Sequence, residues 1–317
     1  MVIRIPNWLG DALMATPVYY NLSQMEKIYL FGPPQIVDLF KNFPNTKIIY
    51  YRKEETKENL NVLKPLKNEI GLLLPNSFSS AWLFFRARLK ERWGYATDLR
   101  SFLLTRRVKP PKNKLHQRDY YLNLLKSLEL PCDFKELILP LDEEILKKAK
   151  MLLKGVDEPF IVLAPGAAYG PAKMWPKEYY RALAKDLTRL GYAIVIAGGV
   201  KEKEIGDFIK DNSPQIYNLC GKTDLLTVAG IFSLAKLVIS NDSGLMHLAA
   251  ALKIPQIAIF GSTDPEATGP LNPNAIILKK ELSCSPCFER TCKYGHYNCL
   301  KSIAVEEVIS SISELIT

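Results

Sequence analysis

PFIVLAPGAAYGPAKMWPKEYYRALAKDLTRLGYAIVIAGG, residues 159–199, decides the fold class. An unbroken apolar run, Phe160 to Ala164, enters a turn bearing Gly166 and Gly170; a helix-length amphipathic stretch from Pro176 to Leu190 follows, then a second apolar run. Strands that are apolar throughout and joined by helices belong to parallel sheets covered on both faces. The rhythm continues downstream with a helix at 201–211, IYNLCG, a helix near 225–234, LVIS, a helix near 244–252 and QIAIFG. Upstream it repeats less cleanly as VIRI, a helix near 12–24, IYLF, a helix near 35–42, KIIYY and EIGLLLP before SSAWLFFRARLK, then loosens between 97 and 150. The pattern predicts an α/β protein of two Rossmann-like, doubly wound domains facing a central cleft, residues 1–155 and 156–317, with a last helix free to pack on either.

The composition is consistent with that size and class. The 317 residues are 48% apolar and 24% charged, enough for about two domains, with no compositional sign of disorder. Apolar runs are interrupted well before the roughly 18 residues of a spanning helix, and the N-terminus lacks the apolar core of a signal peptide, which predicts a cytoplasmic protein. Forty-two Lys and Arg against 33 Asp and Glu leave a net charge of +9. That surplus points to nucleic acid, an anionic membrane surface or a phosphorylated substrate.

Doubly wound sheets take ligands at the carboxyl ends of their strands, so the turns there carry the chemistry. In PNWLGDALMATP, Gly10 permits a tight entry into a helix and Asp11 either caps it or stands as a general base. In APGAAYGPAKMWP, the loop amides, the following helix and Lys173 favour a phosphate, although neither the P-loop order nor G-x-G-x-x-G is present. That missing fingerprint argues against a nicotinamide-dependent oxidoreductase. In LVISNDSGLMH, Asp242, Ser243, Gly244 and His247 gather at a helix start, either as caps or as ligand contacts. Glu202, after AGGVK, is placed to meet ribose hydroxyls.

Four co-linear stretches, RIPNWLGDALMATP, PGAAYGPAKMWPKEYY, ISNDSGLMHLAAALKIPQIAIFGSTDP and CSPCFERTCKYGHYNC, resemble the ADP-heptose:lipopolysaccharide heptosyltransferases of glycosyltransferase family 9. The opening P-N-W-x-G-D and the cysteine tail are most similar to the type II members. The resemblance implies a GT-B fold with an N-terminal acceptor domain and a C-terminal ADP-heptose domain. It implies inverting transfer of L-glycero-D-manno-heptose to the first heptose of the lipopolysaccharide inner core, by a protein peripheral to the inner face of the cytoplasmic membrane. Types I and III, acting on other core positions, are the alternatives within the family. By the same resemblance Asp11 and Lys173 are catalytic, and Gly166, Tyr169, Lys173, Glu202, Asp242, Ser243, Gly244 and His247 bind the donor. No metal or other cofactor is expected to be required for catalysis, because Lys173 and helix amides supply the charge that ADP needs on leaving.

Residues 86–118 hold eleven Lys and Arg against Glu91 and Asp98. Arg86, Arg88 and Arg118 are accordingly the candidates for a phosphorylated glycolipid acceptor, and nucleic acid is not expected as a partner. Cys284, Cys287, Cys292 and Cys299, spaced C-x2-C-x4-C-x6-C around His296, are either a structural zinc or cluster site or free or paired thiols. With zinc there, a basic nucleic-acid-binding protein is the reading from a different class.

Overall fold

The computed structural model describes residues 1–316 and divides into two compact units, Met1–Pro140 and a second beginning at Leu141. The first holds six parallel strands: β1 (Val2–Arg4), β2 (Ile28–Gly32), β3 (Thr46–Tyr50), β4 (Ile70–Leu73), β5 (Glu91–Tyr95) and β6 (Arg106–Val108), in the order β3-β2-β1-β4-β5-β6. The second holds β7 (Phe160–Ala164), β8 (Ala193–Ile196), β9 (Ile216–Asn218), β10 (Leu237–Asn241), β11 (Gln256–Phe260) and β12 (Ala275–Lys279), in the order β12-β11-β10-β7-β8-β9. Each sheet therefore grows from its first strand in both directions, and its order reverses between β1 and β4 or between β7 and β10. Successive connections leave such a junction toward opposite faces, which opens a crevice at the carboxyl ends of the two strands.

Burial follows the apolar runs. Every residue of β1, β7, β8, β10 and β11 is buried, and β7, β8, β10 and β11 share a core with Leu183, Leu187 and Ile209 from covering helices. The edge strand β3 is half-exposed along its length.

Packing refines three sequence expectations. The helix expected near 12–24 is two helices, Leu9–Met14 and Thr16–Ser23. Pro17 has no N–H for the Leu13 carbonyl, and the Thr16 hydroxyl donates to that oxygen instead at 2.8 Å. The boundary expected at 155/156 falls at 140/141 because helix Glu143–Leu152 packs on helix Leu225–Leu234. Gly230 permits that approach: a Cβ there would lie 2.9 Å from Ala149 Cβ and 3.0 Å from the Ile145 carbonyl. The final helix, Val305–Leu315, belongs to the second unit, where Val308 and Ile312 join the core and it packs on helix Lys177–Arg189.

Gly230→Val is expected to push helix Glu143–Leu152 off its seat and cost about 2 kcal/mol of stability. Urea denaturation measures this, and an unchanged midpoint would show that the helix contributes nothing to the second unit's fold.

Candidate active site

The crevice at the ends of β7 and β10 is built around Asn241, the buried last residue of β10. Its Nδ2 donates to the Pro165 carbonyl at 2.6 Å, while its Oδ1 accepts from the Trp175 amide at 3.0 Å and the Tyr180 hydroxyl at 3.1 Å. One side chain thus fixes both ends of the loop that leaves β7. The loop carries Lys173 to Asp242, the residue after Asn241, with Nζ 2.5 Å from Oδ2. The Thr263 hydroxyl, in the turn after β11, donates to the same carboxylate oxygen at 2.5 Å. Side-chain exposure of 13% for Lys173 and 4% for Asp242 places this pair where Coulombic attraction is little screened.

Around the pair are groups suited to a polar ligand. Ser243 is the N-cap of helix Gly244–Ala251 and makes no side-chain capping bond, so the positive end of the helix is open at this point. The Ser243 and Ser262 hydroxyl oxygens are buried and make no hydrogen bond to a described residue. His247 lies buried on the same helix. Glu202 comes to this edge from the turn after β8: its Oε2 accepts from the Gly199 amide at 2.8 Å, and its side chain lies across Gly166, where a Cβ would come 2.6 Å from Glu202 Cγ. Gly166 is therefore required by Glu202. Nearby Cys220 has its thiol pushed up to about 12 by burial, with the Glu202 and Asp207 carboxylates adding to the effect.

Tyr169 connects the loop to the cysteine tail. Its ring stands 4.8 Å from Lys173 Nζ and 5.3 Å from the Arg290 guanidinium, and its hydroxyl donates to the Phe288 carbonyl. The Arg290 carbonyl accepts from the Ala172 amide at 3.0 Å and would meet a Cβ on Gly170 at 2.5 Å. Gly170, at φ +149°, is thus glycine for two reasons. The six cysteines are free thiols, and among the described residues no group of three or more His, Cys, Asp or Glu is arranged to hold a metal ion. Cys292 is distinct among them: the backbone amides of Tyr297, Tyr294, Gly295 and His296 lower its thiol.

In the first unit, Asp11 lies in the first turn of helix Leu9–Met14, whose N-cap is Trp8, so it is not the capping residue itself. Its charge contributes to raising the Tyr19 and Tyr121 hydroxyls, whose shifts come chiefly from burial. Two buried arginines shape the adjoining turns. Arg4 donates to the Ile5 carbonyl and to Asn7 Oδ1, both at 2.5 Å, and desolvation lowers it to about 10. Arg100 donates to the carbonyls of Tyr95 at 3.0 Å, Ser77 at 3.3 Å and Pro75, holding the turn after β4; it belongs to the interior and not to a basic surface.

Of the three expected acceptor contacts, Arg118 is on helix Gln117–Ser127, which packs against Asp11's helix, and is held by Asp119 at 2.8 Å and the Lys135 carbonyl at 3.1 Å. Arg86 and Arg88 lead into β5 and so stand at the amino ends of parallel strands, about 15 Å from the carboxyl edge that begins Asp11's helix. The structure does not bring these two to Asp11. Thr263, Ser262 and Arg290 escaped the sequence reading; the turn after QIAIF was the signal for the first two, and nothing local marked Arg290.

A model of glycosyltransferase family 9 (heptosyltransferase) matches residues 60–298. The chain belongs to glycosyltransferase family 9. It is 32% identical to lipooligosaccharide heptosyltransferase 2 of Campylobacter jejuni serotype O:6 over 99% of this chain and 98% of that one. Lipopolysaccharide heptosyltransferase 2 of Salmonella typhimurium is 29% identical over 98% and 97%. The structure of Escherichia coli ADP-heptose lipopolysaccharide heptosyltransferase II matches with a TM-score of 0.86 at 27% identity, over 99% of this chain and 98% of that one. The two six-stranded sheets are therefore those of the GT-B fold, and this member of the family is a glycosyltransferase of the heptosyltransferase kind. Among the described residues no helix is long and apolar enough to cross a membrane.

Asn241→Ala is expected to strand the Pro165 carbonyl and the Trp175 amide, costing about 3 kcal/mol in urea denaturation; a loss too small to measure would mean the loop is held otherwise. Because its thiol is lowered, Cys292 should be alkylated by iodoacetamide at a lower pH than Cys220, whose raised, buried thiol reacts last. Peptide mapping across a pH series checks this, and the reverse order would contradict the amide cradle.

Proposed function

We propose that this family 9 enzyme transfers L-glycero-D-manno-heptose from ADP-heptose to the first heptose of the lipopolysaccharide inner core in one inverting displacement. The observation that carries the reading is the Lys173–Asp242–Thr263 cluster at the β7/β10 junction, in a chain aligned end to end with enzymes named heptosyltransferase 2. An acceptor hydroxyl oxygen forms its bond to the anomeric carbon while the bond from that carbon to the diphosphate oxygen breaks. The hydroxyl proton passes to the Asp11 carboxylate, and ADP leaves with the electron pair. Lys173 and the amides opening helix Gly244–Ala251 meet the charge that develops on the diphosphate.

The other assignments follow from this division of labour. Asp242, already neutralised by Lys173, accepts from heptose hydroxyls; Ser243, Gly244, His247, Gly166 and Tyr169 complete the donor contacts, and Glu202 meets the ribose. The first unit takes the acceptor, with Arg118 on the helix packed against Asp11's helix, and the second takes ADP-heptose. The protein works in the cytoplasm at the inner face of the membrane, where its glycolipid acceptor is made. Arg290, whose guanidinium stands 5.3 Å from the Tyr169 ring, joins Lys173 as a second cation for the diphosphate.

Transfer from ADP-heptose to inner cores bearing zero or one heptose tests the reading. Activity is expected on the one-heptose core, falling roughly 10³-fold in Asp11→Asn and roughly 10²-fold in kcat in Lys173→Met. Activity confined to the heptose-free core would assign another core position, and full activity of Asp11→Asn would remove the base.

A further inference from the structure

Helix Phe78–Arg86 presents aromatic rings to solvent. A surface helix ordinarily buries one apolar stripe and offers polar residues to water. Here Ala81, Leu83 and Phe84 supply the buried stripe, packed with Phe31, Leu73 and Leu89 in the first unit's core. The opposite face carries Phe78, Trp82 and Phe85, each 38–44% exposed. Their rings run in sequence, Phe78 to Trp82 at 6.3 Å and Trp82 to Phe85 at 5.8 Å, and Phe102 extends the row 6.2 Å from Phe78. Leu99 and Phe102 are 89% and 67% exposed. The Asp98 carboxylate accepts from the Phe78 amide at 2.6 Å and so ties the Leu99 turn to the start of the helix.

Cations border this row. The Arg86 guanidinium is 5.6 Å from the Trp82 ring centre and that of Arg92 is 5.5 Å from Phe85, while Arg88 and Lys90 follow, both exposed. The two carboxylates of the basic run are engaged locally, Glu91 by the Trp93 indole at 2.6 Å and Asp98 by Phe78. A contiguous apolar face of this kind marks an interaction site. Aromatic rings bordered by arginine suit the headgroup level of a bilayer, where the rings are half immersed and the guanidinium groups meet lipid phosphate. A second copy of the chain fits less well, because face-to-face packing would set the Arg86, Arg88 and Lys90 of each copy against those of the other.

We propose that Phe78, Trp82, Phe85, Leu99 and Phe102 form the surface by which this protein docks on an anionic lipid bilayer. The proposal rests on the reading of the acceptor as a membrane glycolipid and identifies the part of the first unit that lies against the lipid. Phe78 follows directly on the turn after β4, at the carboxyl edge of the sheet that also begins Asp11's helix. The rings therefore lead from the lipid surface to the edge where the sugar must be presented.

Sedimentation of the full-length protein with vesicles tests the surface independently of catalysis. Binding is expected to phosphatidylethanolamine–phosphatidylglycerol vesicles, weaker by about tenfold or more to phosphatidylcholine alone, and weakened by high salt. Trp82→Ser/Phe85→Ser on the helix and, separately, Leu99→Ser/Phe102→Ser on the turn should each reduce binding to the anionic vesicles by about tenfold or more. All four side chains are exposed, so an unchanged thermal midpoint is expected and shows that the variants fold. Transfer to a deacylated, water-soluble acceptor should be unaltered in both pairs. No wild-type binding to anionic vesicles, or undiminished binding by both variants, overturns the proposal. Parallel loss of transfer to the soluble acceptor would assign the rings to the transfer site, and loss of a concentration-dependent dimer in the variants would assign them to self-association; either also overturns it. If instead the wild-type protein fails to transfer to the soluble acceptor while still binding vesicles selectively, the functional reading fails and the docking surface stands.

Discussion

Where β7 and β10 end side by side, their chains part toward opposite faces of the sheet, and the Asn241 amide spans the opening. It donates to one end of the departing loop and accepts from the other, so the path from Pro165 to Trp175 is fixed before Lys173 finds a partner. The amide is buried, and each of its partners would be costly to leave unpaired, so the loop has few alternative arrangements. The placement of Lys173 and Tyr169, and of the tail segment folded on them, follows from that constraint.

The ion pair of Lys173 and Asp242 is the electrostatic counterpart. A carboxylate only 4% exposed requires compensation, which the ammonium and the Thr263 hydroxyl provide at one oxygen. A preorganised buried pair adds little to stability, but it holds a cation at the positive end of a helix, where an anionic leaving group is best received. The first unit solves its own positional problem differently. Arg4 and Arg100 donate to backbone carbonyls and hold the turns after β1 and β4, spending charge on loop shape.

Exposure divides the rest of the basic run by role. Arg100 is interior, Arg92 is held by the carbonyls of Leu89 and Leu103 at 2.7 Å, and Arg118 is held near Asp11's helix. Arg86, Arg88 and Lys90 remain at the surface beside the aromatic row. A single charge count thus covers interior scaffold, locally held side chains and exposed cations, a division made by which way each residue's element faces.

The sequence alone determined the two parallel sheets, because long apolar runs such as FIVLA and AIVI can be satisfied only inside a sheet covered on both faces. It also singled out the turns after β1, β7 and β10, beyond which Asp11, Lys173 and Asp242 stand. ERWGY, RRV and AIILK were not legible: charged residues break the apolar run in the first two, and RRV and AIILK are edge strands that are only partly buried. Helix Glu143–Leu152 was not legible as part of the second unit because its partner, Gly230, is 81 residues from Ala149 in the chain. Only the tertiary structure could place Thr263 and Arg290 beside Lys173, remove Arg86 and Arg88 from Asp11, and turn the Trp82 face outward. Local pattern reports burial along one element, whereas these outcomes depend on which distant residues share a sheet edge, and that is set by strand order.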